Sequence, residues 1–238
     1  VACEDTRRTR VLLDRHGIRA GALVSYHEHN ERARAAELVA RIREGAVVAL
    51  VSDAGTPGVS DPGYVVIGAC VEAGLPVEVL PGASAVTAAV VASGLPAERW
   101  TFAGFLPRRA GELARVWESE DTVVAFESPR RLAASLASLA AADPERPVAV
   151  CRELTKLHEE VVRGTAGELA ARYAAEDPRG EIVVVVGGAP AEAIDLAPAL
   201  DALARLVDAG AKARPAAGVI ADLTGVPANA LYKALLER

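Results

Sequence analysis

Ala46-Val47-Val48-Ala49-Leu50-Val51 runs directly into Ser52-Asp53-Ala54-Gly55-Thr56-Pro57-Gly58-Val59-Ser60-Asp61-Pro62-Gly63, and Tyr64 to Ala73 follows. The apolar run reads as a buried strand and the last segment as a helix closed by Gly74. The twelve residues between them therefore lie at the carboxyl end of a strand, where open α/β sheets hold their ligands. They include three Gly, two Pro and two Asp. Glycine admits left-handed φ and close backbone approach, whereas proline fixes φ and removes a donor, so the loop is stiff and shaped. It is not a P-loop, because no Gly-Lys-Ser/Thr follows, and it lacks the G-x-G-x-x-G spacing of a dinucleotide fingerprint. The plainer alternative is an ordinary strand-to-helix turn in which Asp61 caps the helix ahead of Pro62.

Working outward, strands and helices alternate at short spacing. Upstream, Val1-Ala2-Cys3 reads as the last turn of an element already under way. Glu4 to Arg10 leads into a helix ending near Gly17, with Thr6 as its cap. Ala22 to Ser25 is a strand, His27 to Asn30 a loop, and Glu31 to Glu44 a helix with Ala35, Leu38, Val39 and Ile42 on one stripe. Downstream, Val77 to Leu80 reads as a strand, Pro81-Gly82-Ala83-Ser84-Ala85 as a turn, Val86 to Ser93 as a helix and Thr101 to Phe105 as a strand. Leu106-Pro107-Arg108-Arg109 crosses into a second unit. There Thr122–Phe126, Val148–Arg152, Glu159–Arg163 and Ile182–Val186 are strands, with helices from Pro129 to about Ala141 and from Ala166 to Ala175. This order predicts an α/β fold of two α/β domains, 1–105 and 106–189, whose sheets are mainly parallel with helices on both faces. A helical tail, 190–238, follows the linker Gly187 to Pro190. Its Ala217, Ala221, Gly225, Val226 and Leu231 have the spacing of a helix-turn-helix, and a plain helical hairpin fits equally. Lys212, Arg214, Lys233 and Arg238 make that tail mildly basic.

Composition narrows the function classes. The 238 residues carry 26 Lys and Arg against 32 Asp and Glu, a net charge of −6. Nucleic-acid contacts must then come from local patches rather than a basic coat. No apolar run approaches the roughly 20 residues of a membrane span, and no signal segment opens the chain. Cys3, Cys70 and Cys151 are scattered without metal-ligand pairing, which points to a reducing cytoplasm and no metal site. The chain starts at Val1 and contains no Met, so the front of the natural protein is expected to be absent.

Several segments occur together and in order. These are Glu4-Asp5-Thr6-Arg7, Ser52 to Pro57 with Asp61-Pro62-Gly63, Leu80 to Ala85 and Gly104-Phe105-Leu106-Pro107. Glu127-Ser128 with Arg130-Arg131, Arg152 to Lys156 and Gly180-Glu181 complete the set. With them the chain resembles the bacterial small-subunit (16S) ribosomal RNA (cytidine-2′-O-)-methyltransferases of the tetrapyrrole methylase superfamily. The likeness covers essentially the whole chain. It implies S-adenosylmethionine bound in a cleft between the two domains, a homodimer, and an RNA or small-subunit substrate. It places Asp53, Ala54, Gly55, Thr56, Pro57 and Asp61, then Gly82, Ser84 and Ala85, then Phe126, Glu127 and Glu181, along that cofactor cleft. The family also carries an early strand and a Pro-Ile-Gly-Asn loop ahead of the segment with which this chain begins.

Methyl transfer to a ribose 2′-hydroxyl needs alignment, exclusion of water and an acceptor for the hydroxyl proton. The candidates for that acceptor are Glu4, Asp5, Glu127, Glu153 and Lys156, the last only if its pKa were depressed. The alternatives are a helix N-terminal charge for Glu4-Asp5 and a solvated salt bridge for Glu153 with Lys156. Arg7, Arg8, Arg108, Arg109, Arg130 and Arg131 form three pairs suited to phosphate contacts, or equally to surface solubility. Two other functions stay open at this level. One is methylation of a small tetrapyrrole; the other is a non-enzymatic nucleic-acid-binding role for the tail.

Overall fold

The structure, a computed structural model, describes residues 1–190 and 196–237. Two compact units result, Val1–Ala189 and Pro190–Arg238. The first contains two sheets.

The smaller sheet has three parallel two-residue strands: β1 (Ala2–Cys3), β2 (Val24–Ser25) and β3 (Leu50–Val51), in the order β2-β1-β3. Ala2 and Cys3, expected as the end of a turn, are instead the central strand and are fully buried. Helices α1 (Thr6–Arg15), α2 (Glu31–Arg43) and α3 (Tyr64–Glu72) connect and cover these strands. Asp5, not Thr6, caps α1: its carboxylate accepts the Arg7 backbone N–H. Gly63, not Asp61, occupies the cap of α3. The core between α2, α3 and β1 is made by Ala2, Tyr26, Leu38, Val39, Val66 and Cys70, and the Tyr26 hydroxyl accepts the Val66 N–H.

Two strand expectations shorten here. Of Ala46–Val51 only Leu50 and Val51 pair, and Val77–Leu80 forms no ladder at all. Both segments wall a cavity of about 530 Å³. With that gap between them they cannot exchange the ladder bonds that make extended chain a strand. Val47, Val79 and Leu80 are left exposed.

The larger sheet has five strands, β4 (Trp100–Phe105), β5 (Thr122–Glu127), β6 (Pro147–Arg152), β7 (Glu160–Thr165) and β8 (Ile182–Val186), in the order β4-β5-β8-β6-β7. It is mixed rather than mainly parallel: β4 and β5 are parallel, and every other pairing is antiparallel. The apolar run of β8 alternates between two cores in the period of a strand. Ile182, Val184 and Val186 face α5 (Ala110–Trp117), α6 (Pro129–Ala142) and α7 (Ala166–Ala175) through Leu132, Leu136, Leu139 and Tyr173. Val183 and Val185 face α4 (Ala85–Ser93) through Val86, Ala89 and Val90. Burying each such Leu or Val contributes about 2 kcal/mol. Helix α5 was not foreseen, because Pro107-Arg108-Arg109 ahead of it reads as a loop.

Strand β4 hydrogen-bonds to β5, and α4 packs on the same sheet. Residues 85–105 therefore belong with the second sheet, not with the first, as the 1–105 division has them. The carbonyls of Ala92 and Ser93 at the end of α4 accept from the Arg163 guanidinium of β7.

The second unit comprises α8 (Leu196–Asp208), α9 (Ala213–Thr224) and α10 (Ala228–Leu236) around Leu203, Ala217, Ile220, Val226 and Leu231. Gly225 ends α9 in the left-handed conformation, and Pro227 starts α10, giving the short turn expected there. Arg238 lies outside the described residues.

Candidate active site

The parallel β1 and β3 bring Glu4-Asp5 and Ser52-Asp53 to one edge, since both pairs follow the carboxyl ends of neighbouring strands. The Asp5 backbone N–H donates to Asp53 Oδ1 at 3.4 Å, and Arg8 Nη1 lies 3.3 Å from Asp53 Oδ2. The loop after β3 folds back on itself. The Ser52 hydroxyl donates to the Ala54 carbonyl, and a Cβ on Gly63 would stand 2.8 Å from the Gly58 nitrogen. Only glycine permits that closure. Ser60 takes a left-handed φ of 56°, unusual for a residue with a side chain, and its Oγ lies 3.8 Å from where a Cβ on Gly104 would be. The loop of the first sheet thus touches β4 of the second.

Asp61 is the electrostatic centre of this edge. Burial pushes its carboxyl above the usual range, and Glu4, Asp53 and Glu181 push it further, against a hydrogen bond from Ser52. Glu181 enters from the start of β8, so carboxylates of both sheets converge.

A second brace stands on the larger sheet. Lys156 Nζ lies 2.9 Å from Glu153 Oε1 and 3.0 Å from Glu181 Oε2, and the Glu181 N–H donates to Glu153 Oε1 at 2.8 Å. The turn that presents these groups holds Glu153 and Thr155 at φ 49° and 66°. Gly180 closes it, because a Cβ there would strike the Glu153 side chain at 2.5 Å. The Glu181 N–H and Lys156 hold the Glu153 carboxyl below the usual range, and Glu153 holds the Lys156 ammonium above its usual value.

The third component is the start of α4. Ser84 stands at its N-cap without a side-chain cap bond, so its side chain leaves the first-turn N–H groups unclaimed, the arrangement that favours an anion. Ala85 packs in the same cluster as Phe126, Phe102 and Leu154. The Phe126 ring meets Phe102 edge-on at 5.2 Å and Phe105 at 5.5 Å. Nothing lies within 4 Å of a Cβ on Gly82. The 530 Å³ cavity is not this cleft: its walls are core side chains of α2 and α3, and only Thr56, Pro57 and Leu80 at its edge overlap the candidate loops.

The structure separates the sequence candidates. Glu4, Asp53 and Glu181 are close enough to raise the Asp61 carboxyl, while Ala85 and Phe126 share one cluster beside the Ser84 turn. Glu127 is turned away from both groups. Its carboxylate is fully buried and accepts from the Ser128 N–H at 2.7 Å and the Ser135 hydroxyl at 2.6 Å, with Arg131 at 3.4 Å. A carboxylate so engaged braces the start of α6 and has no free oxygen to take up a substrate proton. Arg131 donates to the carbonyls of Leu106 and Pro107, which withdraws it from phosphate contacts. Arg7, Arg8 and Arg109 are exposed and pair with Asp5, Asp53 and Glu112, and exposed pairs of this kind exchange partners readily. Arg108 and Arg130 make no ion pair among the described residues. Asp5 is held well below the usual carboxylate range by Arg7. Sequence reasoning missed Ser52, Ser60 and Gly180, whose parts depend on backbone conformation that no periodicity encodes.

These groups are of the kinds that complement a sulfonium nucleoside with an amino-acid tail. Carboxylates complement its positive centres, a helix N-terminus its carboxylate, and small and aromatic residues its ring. Among the described residues no cluster of His, Cys, Asp and Glu is arranged to hold a metal ion, and no helix is long and apolar enough to cross a membrane.

Known proteins agree in kind. The family described as Tetrapyrrole (Corrin/Porphyrin) Methylases matches residues 1–170. Ribosomal RNA small subunit methyltransferase I of Mesorhizobium japonicum is 49% identical, across 100% of this chain and 82% of that protein. Its namesake in Mycobacterium tuberculosis strain H37Rv is 47% identical, across 100% of this chain and 85% of the relative. A crystal structure of uroporphyrin-III-C-methyltransferase from Thermus thermophilus aligns with a TM-score of 0.51 and 27% identity, covering 69% of this chain and 73% of the other.

Proposed function

The chain belongs to the tetrapyrrole methylases, and from that premise we propose that it transfers the methyl group of S-adenosylmethionine to the ribose 2′-hydroxyl of a cytidine in small-subunit (16S) ribosomal RNA. What supports this reading is the influence of Glu181 on Asp61 across the two sheets and the Ala85–Phe126 cluster at the start of α4, beside relatives named for ribosomal RNA across the full chain. The cofactor supplies an already activated methyl group, so the protein's task is alignment and proton removal. In this reading the α4 N-terminus takes the methionine carboxylate, Gly82 leaves room for the backbone to approach, and Asp53 and Asp61 face the cationic groups.

Of the five candidate proton acceptors, Lys156 is excluded by its raised pKa, and Asp5 and Glu153 are weakened by theirs. Glu127 is sealed in the core. Glu4 remains, adjacent to Asp61. We assign the hydroxyl proton to this pair, because burial and then the neighbouring Glu4 raise the Asp61 carboxyl above its ordinary value and so make it a better proton acceptor. Arg7, Arg8, Arg108, Arg109 and Arg130 provide phosphate contacts. A homodimer and a cytoplasmic setting fit a ribosomal substrate.

The test offers labelled S-adenosylmethionine with unmethylated small subunits or with a porphyrinogen precursor. Label recovered as 2′-O-methylcytidine is expected. Label in the tetrapyrrole, or in neither, overturns the assignment. Gly82→Trp is expected to abolish calorimetric cofactor binding with the fold intact; unchanged binding overturns the placement of the cleft.

A further inference from the structure

Phe105 is 61% exposed at the end of β4, the edge strand of the larger sheet, none of whose residues is fully buried. Its backbone is held fast. Gly104 before it breaks the β4–β5 register with a φ of 65°, the Leu106 N–H after it donates to the Phe126 carbonyl at 3.0 Å, and Arg131 holds the carbonyls of Leu106 and Pro107. The ring leans on Phe126 at 5.5 Å with 58° between planes, so one side is supported and the other is free among the described residues. Leu106, the next residue, is 2% exposed. The bulge thus turns the larger apolar group outward and the smaller inward, which folding alone does not favour.

Its surroundings indicate a purpose. Phe126 behind it belongs to the α4 cluster of the cofactor cleft, Ser60 of the loop approaches Gly104 beside it, and the exposed Arg108 and Arg109 follow within four residues. A rigid aromatic face between a methyl-donor cleft and a pair of guanidinium groups matches an unpaired nucleotide, which presents a π-face and a phosphate a few ångströms apart.

Resting on the methyl-transfer reading above, we propose that Phe105 is a positioning residue: the target base, flipped out of its RNA stack, lies on the exposed face of Phe105 while its ribose enters the cleft. Stacking of one base on one ring predicts a loss of about tenfold in RNA affinity on truncation.

The experiment measures KM for unmethylated small subunits, kcat, and calorimetric S-adenosylmethionine affinity in wild type, Phe105→Ala, Phe105→Tyr and Phe105→Trp. Phe105→Ala is expected to raise KM about tenfold with cofactor affinity within twofold of wild type. Phe105→Tyr and Phe105→Trp are expected to restore KM, and the added indole emission of Phe105→Trp to be quenched by substrate RNA. KM within twofold of wild type in Phe105→Ala overturns the proposal. So does a change of oligomeric state in that variant at unchanged melting temperature, which makes Phe105 an interface residue. Should Phe105→Ala fail to fold, Tyr and Trp variants with wild-type melting and a KM raised as far as truncation would raise it also overturn it. A wild type that binds cofactor but methylates no RNA overturns the functional reading itself, and this proposal with it.

Discussion

The two sheets of the first unit solve the same problem to different depths. The five-stranded sheet is buried on both faces: Val124, Val150, Val184 and Val185 are each at most 2% exposed, and helices cover each side. The three-stranded sheet pairs two residues per strand, leaves Val47 99% exposed and borders a cavity open to solvent. Yet the thinner half supplies the Ser52–Gly63 loop and Glu4, while the thicker half supplies the brace of Glu153, Lys156 and Glu181 that stands opposite. The difference teaches that stability and chemistry are divided between the halves: one is packed to hold its shape, and the other gathers like charges against it.

The sharpest way to break this comparison is to cut an equivalent Leu from each core. Leu132→Ala in α6 is expected to cost about 3 kcal/mol and lower the melting temperature by roughly 10 °C. Leu38→Ala in α2, whose side chain already borders the cavity, is expected to cost nearer 2 kcal/mol. Equal losses by thermal melting would show that the halves are equally well packed. Next in size, Gly180→Ala forces a side chain onto a φ of 95° and into Glu153, and about 2 kcal/mol is expected with loss of the Glu153–Glu181 bond. Hydrogen exchange at the Glu181 amide checks it. The smallest effect has the opposite sign. The Asp61 carboxyl sits above its ordinary value in the fold, so it binds its proton more tightly there than in the unfolded chain. Its contribution is favourable below the ordinary carboxylate range and is lost as pH rises through the raised value. Asp61→Asn is therefore expected to raise the melting temperature slightly at neutral pH, with the gain shrinking as pH falls into the ordinary carboxylate range. The same variant is expected to depress methyl transfer.

The regular elements of the thicker half were legible because their residues follow one period each. Ile182–Val186 and Ala166–Ala175 fall where the pattern places them, the latter closed by a Thr165–Glu168 capping box. The thinner half was legible as an alternation but not in extent, since strand length depends on a partner that local sequence does not name. The mixed direction of the larger sheet was hidden for the same reason. At the site, Asp53, Asp61, Ser84 and Glu181 are named by the family resemblance rather than by any periodicity of their own. That Glu127 faces the core while Phe105 faces outward depends on the Gly104 bulge and on Ser135, eight residues beyond Glu127.

Helix α4 begins at the Ser84 turn and ends on Arg163. A cation on the terminal carbonyls complements the negative end of the helix dipole, just as a bound carboxylate would complement the positive end. The two ends are about 13 Å apart for nine residues. Arg163 thereby ties the far end of that helix to β7, the outermost strand of the sheet.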